Sequence, residues 1–335
     1  MFQKEFEKFS KIIEDKIKNS KKIGIYFDSD ADGCSAAALL VIYLLKKFNK
    51  YPVLVSCYHD VDDKLKNTKE DLIFVLDAQP KNFDSNNIII IDHHVIQRIP
   101  EKSYLFNPLI HDKNLYIATS CLIHDILDKL VDMSKACWVT SIGIKADKSE
   151  ETCEKILKLT YDMYPEFKNI ENKLIRLTST SRNIQDASIV VNSLIECYNI
   201  GSPSFFGKTP SSAKLIKVNK EVEREVEKVM NDLEKLLETK NTVIYKIDSR
   251  FNIQSLISSK ISINYPNKTI IVFNFGSKEK ITHSEVRSRE DNLLEKLCIE
   301  LKDLVEDIGG HKRAFGFSFK KEVFPKIVNY FKNAG

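Results

Sequence analysis

The sequence predicts an α/β protein in which a parallel-sheet domain is joined by a long helix to a smaller α/β domain. Three observations carry that prediction. In the first half, short apolar runs alternate with helical patterns, the βαβ rhythm of a parallel sheet. From Leu215 onward, apolar residues recur by threes and fours among charges, as on an amphipathic helix. After Asn241 the pattern returns to strands.

The elements follow in order. KKIGIYF (21–27) reads as a buried strand, and Ser35 to Phe48 follows as a helix. YPVLVSCY (51–58), DLIFVL (71–76) and NNIIII (86–91) are further strand candidates. From about Ala118 to Ile200 the chain reads as mostly helical. The predicted domains are therefore 1–200, a linker and connecting helix over 201–240, and 241–335. The linker signal is GSPSFFGKTPSS (201–212), rich in Gly, Ser and Pro. The helix after it carries Leu215, Val218, Val222, Val226, Val229, Leu233 and Leu236 on one face. A helix bridging two domains is the preferred reading, and a homodimer through a short coiled coil is the alternative. In the last third, TVIYKI, TIIVFNF and KITHSEVRS read as strands, 291–306 as a helix, and IGGHKRAFGFSF as a glycine-bearing segment.

Composition narrows the class. A chain of 335 residues, 43% hydrophobic and 29% charged, is an ordinary globular protein. Its longest apolar runs are too short to span a bilayer, and the charged N-terminus has no signal-peptide core, so a cytoplasmic location is expected. Seven scattered cysteines form no CxxC pair, which argues against a zinc knuckle or a disulfide framework. The net charge of +4 diagnoses nothing, but residues 241–335 carry 16 Lys and Arg against 11 Asp and Glu. The C-terminal third is the better grip for a polyanion.

Three predicted strands run into residues that ligate metals: Asp28, Asp30 and Asp32 in FDSDADG, Asp77 in VLDAQP, and Asp92, His93 and His94 in IIDHH. The carboxyl ends of parallel strands open onto one crevice, where converging carboxylates repel unless cations neutralise them. Oxygen ligands with one or two imidazoles suit manganese or magnesium. An EF-hand loop opened by Asp28 would need glutamate at its twelfth position, which is Leu39. Taken singly, Asp77 reads equally as a helix cap, and the histidines as a turn.

The set DSDADGCSAAALL, VLDAQP and IDHH resembles the first three motifs of the DHH phosphoesterase family. WVTSIGIKAD resembles the fourth, an aspartate after a helix-borne glycine, and supplies Asp147; Asn107 and Pro108 match the family's Asn-Pro pair. RLTSTSRNIQD resembles the RecJ-type segment, with Arg182 in place but Thr178 and Ser181 where asparagine and glycine are usual. IGGHKRAFGF and EVRS resemble the DHH-associated C-terminal domain, with departures at Ile308, Glu285 and Phe315.

The resemblance implies two divalent cations, manganese or else magnesium, surrounded by Asp28, Asp30, Asp32, Asp77, His93 and Asp147, with Asp77 between them. It places His94 against the scissile phosphate and Asp92 behind a histidine as its orienting partner. Arg287, Gly309, Gly310, His311 and Arg313 would hold phosphate, while Arg182 reads equally as a phosphate contact or a domain-interface salt bridge. For the glycine-histidine segment the plain alternative is a turn before a strand, and alternating Phe315, Phe317 and Phe319 read as core.

The implied activity is metal-dependent phosphodiester hydrolysis, foremost an exonuclease on single-stranded DNA or RNA. A phosphodiesterase of short oligonucleotides or cyclic dinucleotides is the alternative. A replication or repair scaffold is the alternative of another class, and a replication or repair protein is the partner it would imply.

Overall fold

The computed structural model describes residues 2–58, 60–96, 98–276 and 280–334. Two units divide the chain, residues 1–219 and 220–335, and each has its own sheet. The expected linker segment 201–212 therefore lies inside the first unit, with the division within the helix that follows it.

In the first unit, α1 (Phe2–Lys18) leads into β1 (Ile23–Asp28), α2 (Ala31–Phe48), β2 (Val53–Cys57) and the short α3 (Val61–Leu65). Then come β3 (Leu72–Leu76), β4 (Ile88–Ile91), β5 (Tyr104–Phe106), α4 (Thr119–Asp128) and α5 (Cys137–Ala146). The unit closes with α6 (Glu154–Met163), α7 (Phe167–Ser179), α8 (Ser188–Ile200) and the first turns of α9 (Ser212–Asn231). The strands pair in parallel in the order β2-β1-β3-β4-β5.

Unbroken apolar runs mark strands covered on both faces. Ile25, Phe27, Phe74, Leu76, Ile89 and Ile91 face one core with α1, α2, α4 and α5, while Tyr26, Ile73, Val75, Ile88 and Ile90 face a smaller one with α3. Helix α2 is buried all round from Ala31 to Leu44, as its run ADGCSAAALLVIYL demands. It ends at Asn49, whose left-handed backbone (φ 51°) donates an N–H back to the Leu45 carbonyl at 3.2 Å. The sequence reading missed β5, whose three residues are too few to show a period.

In the second unit, β6 (Glu234–Glu238), β7 (Thr242–Ile247), α10 (Gln254–Asn264), β8 (Thr269–Asn274) and β9 (Ile281–Arg287) precede α11 (Leu293–Glu300), β10 (Asp307–His311), β11 (Ala314–Lys320) and α12 (Phe324–Ala334). The order is β10-β11-β9-β8-β7-β6, antiparallel except for the β7–β8 pair. One face packs Ile271, Phe273, Val286, Phe315, Phe317 and Phe319 against α11 and α12.

Two expectations are corrected here. The helix predicted to run past Leu233 and Leu236 stops at Asn231, and residues 234–238 form β6 on β7 instead. Asn231 and Asp232 are poor helix residues, and ladder bonds to β7 outweigh a further turn of periodicity. The helix expected over 291–306 ends at Glu300. Among the described residues no helix is long and apolar enough to cross a membrane.

Candidate metal centre

The registers of β1, β3 and β4 place Phe27 beside Leu76 and Leu76 beside Ile91, so the residues next along the chain emerge side by side. They are Asp28, Asp77 and the run Asp92–His93–His94, at the carboxyl edge of the sheet. The Asp77 N–H donates to the Ile91 carbonyl at 3.0 Å, and the Asp92 N–H to Phe106 at 3.1 Å. Asp77 holds a left-handed backbone (φ 59°), a strained conformation that aspartate tolerates better than most residues.

The start of α2 supplies the next two carboxylates. Asp30 is its N-cap, with Oδ1 accepting the Gly33 N–H at 2.8 Å. Gly33 itself is required, because a Cβ there would lie 2.3 Å from the Asp28 carbonyl oxygen. Asp32 is wholly buried, and its oxygens accept the backbone N–H groups of Thr119 (2.6 Å) and Ser120 (3.0 Å). One carboxylate thus closes the first turn of α4, satisfying two donors that a helix start leaves unpaired.

His93 is buried, with Nε2 3.3 Å from Asp77 Oδ1 and 3.1 Å from Asp147 Oδ2. Asp147 is the C-cap of α5, and its carbonyl accepts the Tyr116 hydroxyl at 2.7 Å while the Tyr116 ring stacks on His93. Asp92 orients His94 rather than His93: Oδ1 lies 2.8 Å from His94 Nδ1, and Oδ2 accepts the His94 N–H (3.0 Å), Gln79 Nε2 (2.5 Å) and Asn107 Nδ2 (3.2 Å). That leaves a half-buried imidazole with its ring held from behind.

Charge is unevenly balanced across these groups. Burial and the carboxylates of Asp30, Asp32 and Asp147 push Asp77 well above the usual range. Burial and Asp147 raise Asp32 to about 7. Burial works against the charged form of Asp92 too, but His94 and its hydrogen bonds hold it at about 2. Burial likewise disfavours a charged His93, yet Asp147 raises it to about 9. Such a cluster of carboxylates calls for positive charge.

The residues fit divalent cations. Among the described residues, Asp77 is common to three triads with ligand atoms within 4.8 Å of one another: Asp32–Asp77–His93, Asp28–Asp30–Asp77 and Asp77–Asp92–His94. Its buried Oδ2 has no hydrogen-bond partner among the described residues. The donors are carboxylate oxygens with imidazole nitrogen and no thiolate, the set that suits manganese or magnesium.

Arg182 lies in a short helical turn, Thr180–Asn183, and its Nη2 sits 3.3 Å from Asp28 Oδ2 and 3.2 Å from Asp30 Oδ2. Both of these carboxylates belong to the cluster in its own unit. Although burial pushes Asp30 up, the guanidinium and the Gly33 N–H hold it below the usual range.

The remaining predicted residues belong to the second unit. Gly309, Gly310 and His311 lie on β10, paired with β11 through a two-residue turn that contains Arg313, so the glycines stand within a strand ahead of the turn. Gly310 needs its glycine: φ is 130°, and a Cβ would lie 2.7 Å from Phe315 Cα. Arg313 pairs with Asp291 at 2.6 Å in solvent. Arg287 bonds Glu285, and its Nη2 donates to Ser255 (2.7 Å) and Ser259 (3.2 Å) on α10. Sequence reasoning missed Thr119, Ser120, Tyr116 and Gln79 as supports of the cluster. Only the small polar pair Thr119–Ser120 ahead of an apolar run hinted at a helix start.

Residues 22–162 match the DHH family, N-terminal domain. A prophage-derived protein of Bacillus subtilis (strain 168), named as a single-strand DNA-specific exonuclease, is 20% identical over 93% of this chain, which spans 66% of that relative's length. The solved structure of RecJ from Thermus thermophilus with Mn2+ superposes with a TM-score of 0.72 at 16% identity, over 96% of this chain and 53% of that one. A pGpG-specific phosphodiesterase from Vibrio cholerae is similar at a TM-score of 0.51 and 14% identity, over 93% of this chain and 97% of that one. Residues 22–162 belong to the DHH family as its N-terminal domain, in a chain with the RecJ-like fold.

Proposed function

We propose that the chain hydrolyses phosphodiester bonds of single-stranded DNA or RNA from a strand end, using two divalent cations held at the carboxyl edge of the β1–β3–β4 sheet. The observation that carries this reading is the sharing of Asp77 among three ligand triads. Asp28, Asp30, Asp32, Asp77, His93 and Asp147 would hold the cations, manganese or magnesium. Bound there, they would supply Lewis acidity toward a phosphoryl oxygen and toward water.

The chain's own residues do the rest. The left-handed backbone of Asp77 and its bond from Thr119 fix the central carboxylate. Asp92, itself held by Gln79 and Asn107, orients His94 so that its half-exposed ring can donate to a phosphate oxygen. In the second unit, Arg287, Gly309, Gly310, His311 and Arg313 are the proposed phosphate contacts, with Arg287 already committed to Glu285, Ser255 and Ser259.

A second reading, hydrolysis of two- to five-nucleotide oligomers or of cyclic dinucleotides, draws on the similarity to the pGpG-specific phosphodiesterase. The test is manganese-dependent cleavage of end-labelled long DNA and RNA strands, short oligomers and cyclic dinucleotides, with Asp77→Ala as control. Progressive shortening of long strands, lost in the variant, supports the exonuclease. Cleavage confined to the short substrates replaces it with the second reading. No metal-dependent hydrolysis of any substrate overturns both and leaves the scaffold.

A further inference from the structure

Residues 116–120 supply no candidate ligand, yet they touch four members of the cluster. Tyr116 reaches His93 with its ring and Asp147 with its hydroxyl. The backbone of Thr119 and Ser120 reaches Asp32. The Thr119 hydroxyl reaches Asp77, with Oγ1 donating to Oδ1 at 2.8 Å. The segment is tied in turn to the loop after Asp147: the Ala118 N–H donates to Ser149 Oγ at 3.3 Å, and Thr152 Oγ1 bonds the Tyr116 carbonyl.

Most of these bonds use backbone atoms and would survive a change of side chain at 119. The hydroxyl is different. It is not the cap of α4, because Asp32 already accepts the first N–H groups of that helix. Thr119 is fully buried, so its polar atom is costly there without a partner, and Asp77 is that partner. With the Asp77 backbone fixed at positive φ, the freedom left to the carboxylate is rotation of its side chain. Oδ1 is engaged by Thr119 and lies 3.3 Å from His93 Nε2, whereas among the described residues the buried Oδ2 has no hydrogen-bond partner.

We propose that Thr119 is a positioning residue for the metal-dependent reaction: its hydroxyl holds Asp77 Oδ1 and so keeps Oδ2 turned out of the hydrogen-bond network for a cation. This rests on the proposed function in requiring that cations bind the Asp77 cluster. Thr119 touches neither cation nor phosphate in this account, and it acts through Asp77.

The test compares the parent with Thr119→Val, which keeps the shape and loses the hydroxyl, and Thr119→Ser, which keeps the hydroxyl and loses the methyl. Mn2+ binding is read by electron paramagnetic resonance of free Mn2+ without nucleic acid, and kcat is read across a manganese series. The valine variant is expected to bind Mn2+ ~10–100-fold more weakly, the usual effect of removing an outer partner of a ligand. Its kcat should return toward the parent's at high manganese, and the serine variant should match the parent in both. A purely structural role would show no manganese rescue and no difference between the two substitutions. Parent-like Mn2+ affinity in Thr119→Val, or equal losses in both variants, overturns the inference alone. Absence of Mn2+ binding by the parent overturns the proposed function as well. Should the valine variant not fold, Thr119→Ala is read in its place with the same two criteria.

Discussion

Gly143 of α5 lies so close to Asp32 of α2 that a Cβ on the glycine would stand 2.3 Å from Asp32 Oδ1, and equally close to Ser120 Oγ. The glycine is the space through which the Asp32 carboxylate reaches the start of α4. Gly143→Ala must therefore push Asp32 and Ser120 apart. The expected cost is ~1–3 kcal/mol, the range for overpacking a dense core. Mn2+ affinity should fall with it, because Asp32 is displaced from Asp77 and His93. Thermal melts and a Mn2+ titration check both, and an alanine variant that melts and binds like the parent removes the glycine from this account.

That contact shows where legibility in the sequence ends. The strands before Asp28, Asp77 and Asp92 are readable because strands buried on both faces are apolar without a break and their carboxyl ends share an edge. A glycine ahead of Asp147 is visible too, but its reason is not. The carboxylate it makes room for lies on another helix. Thr119 is less legible still, since the side chain that caps its helix belongs to Asp32, 87 residues earlier. No local capping signature precedes α4, whose own N-cap is Ala118. In the second unit, a turn is the plain alternative for the paired glycines because glycine is rare in strand interiors, yet Gly309 and Gly310 sit inside β10. Glu285 stands out as a departure from the family pattern, and the structure pairs it with Arg287.

Asp77→Asn should separate the cost of the site from its use. Asparagine tolerates the left-handed backbone and can still accept the Thr119 hydroxyl, but it cannot take on the negative charge that burial and the carboxylates of Asp30, Asp32 and Asp147 oppose at Asp77. In EDTA the variant should melt at or above the parent temperature. In manganese the parent should gain about 2.7 kcal/mol at a hundred times its Kd, and the variant should gain little. Paired melts with and without manganese decide it, and an equal gain in both proteins takes Asp77 out of the cation site.

Glu70 gives a pH-dependent contribution away from the site. Its side chain is 6% exposed and accepts Thr68 Oγ1 (2.6 Å) and the Lys69 N–H (3.0 Å), with Lys22 Nζ 3.0 Å away. Burial opposes ionisation, but these partners lower the carboxyl to about 2. A carboxylate depressed below its unfolded value of about 4.3 stabilises the fold fully above that pH. The contribution is then lost as pH falls toward about 2. Glu70→Gln should be less stable than the parent by ~1–3 kcal/mol at pH 7, as for lost charged hydrogen bonds. The gap in urea midpoints should narrow as pH drops below about 4.3. A gap that is constant with pH would assign the effect to packing.

Arg182 holds oxygens that the proposed cations would also need. The guanidinium spans Asp28 and Asp30, so removing it takes a positive neighbour away from two carboxylates. In EDTA, Arg182→Ala should melt lower than the parent. Competition also has a necessary consequence in the other direction: if bound cations weaken the hold of Arg182, deleting Arg182 must strengthen cation binding by the same factor. Mn2+ affinity is therefore expected to rise ~5-fold or more, the lower end of typical coupling. Turnover separates this from a merely damaged site. An arginine freed by the cations to meet a strand's phosphate would, when deleted, raise KM for long strands while the tightened manganese affinity persists. If Mn2+ affinity falls in the variant instead, Arg182 supports the ligand geometry and does not compete for it.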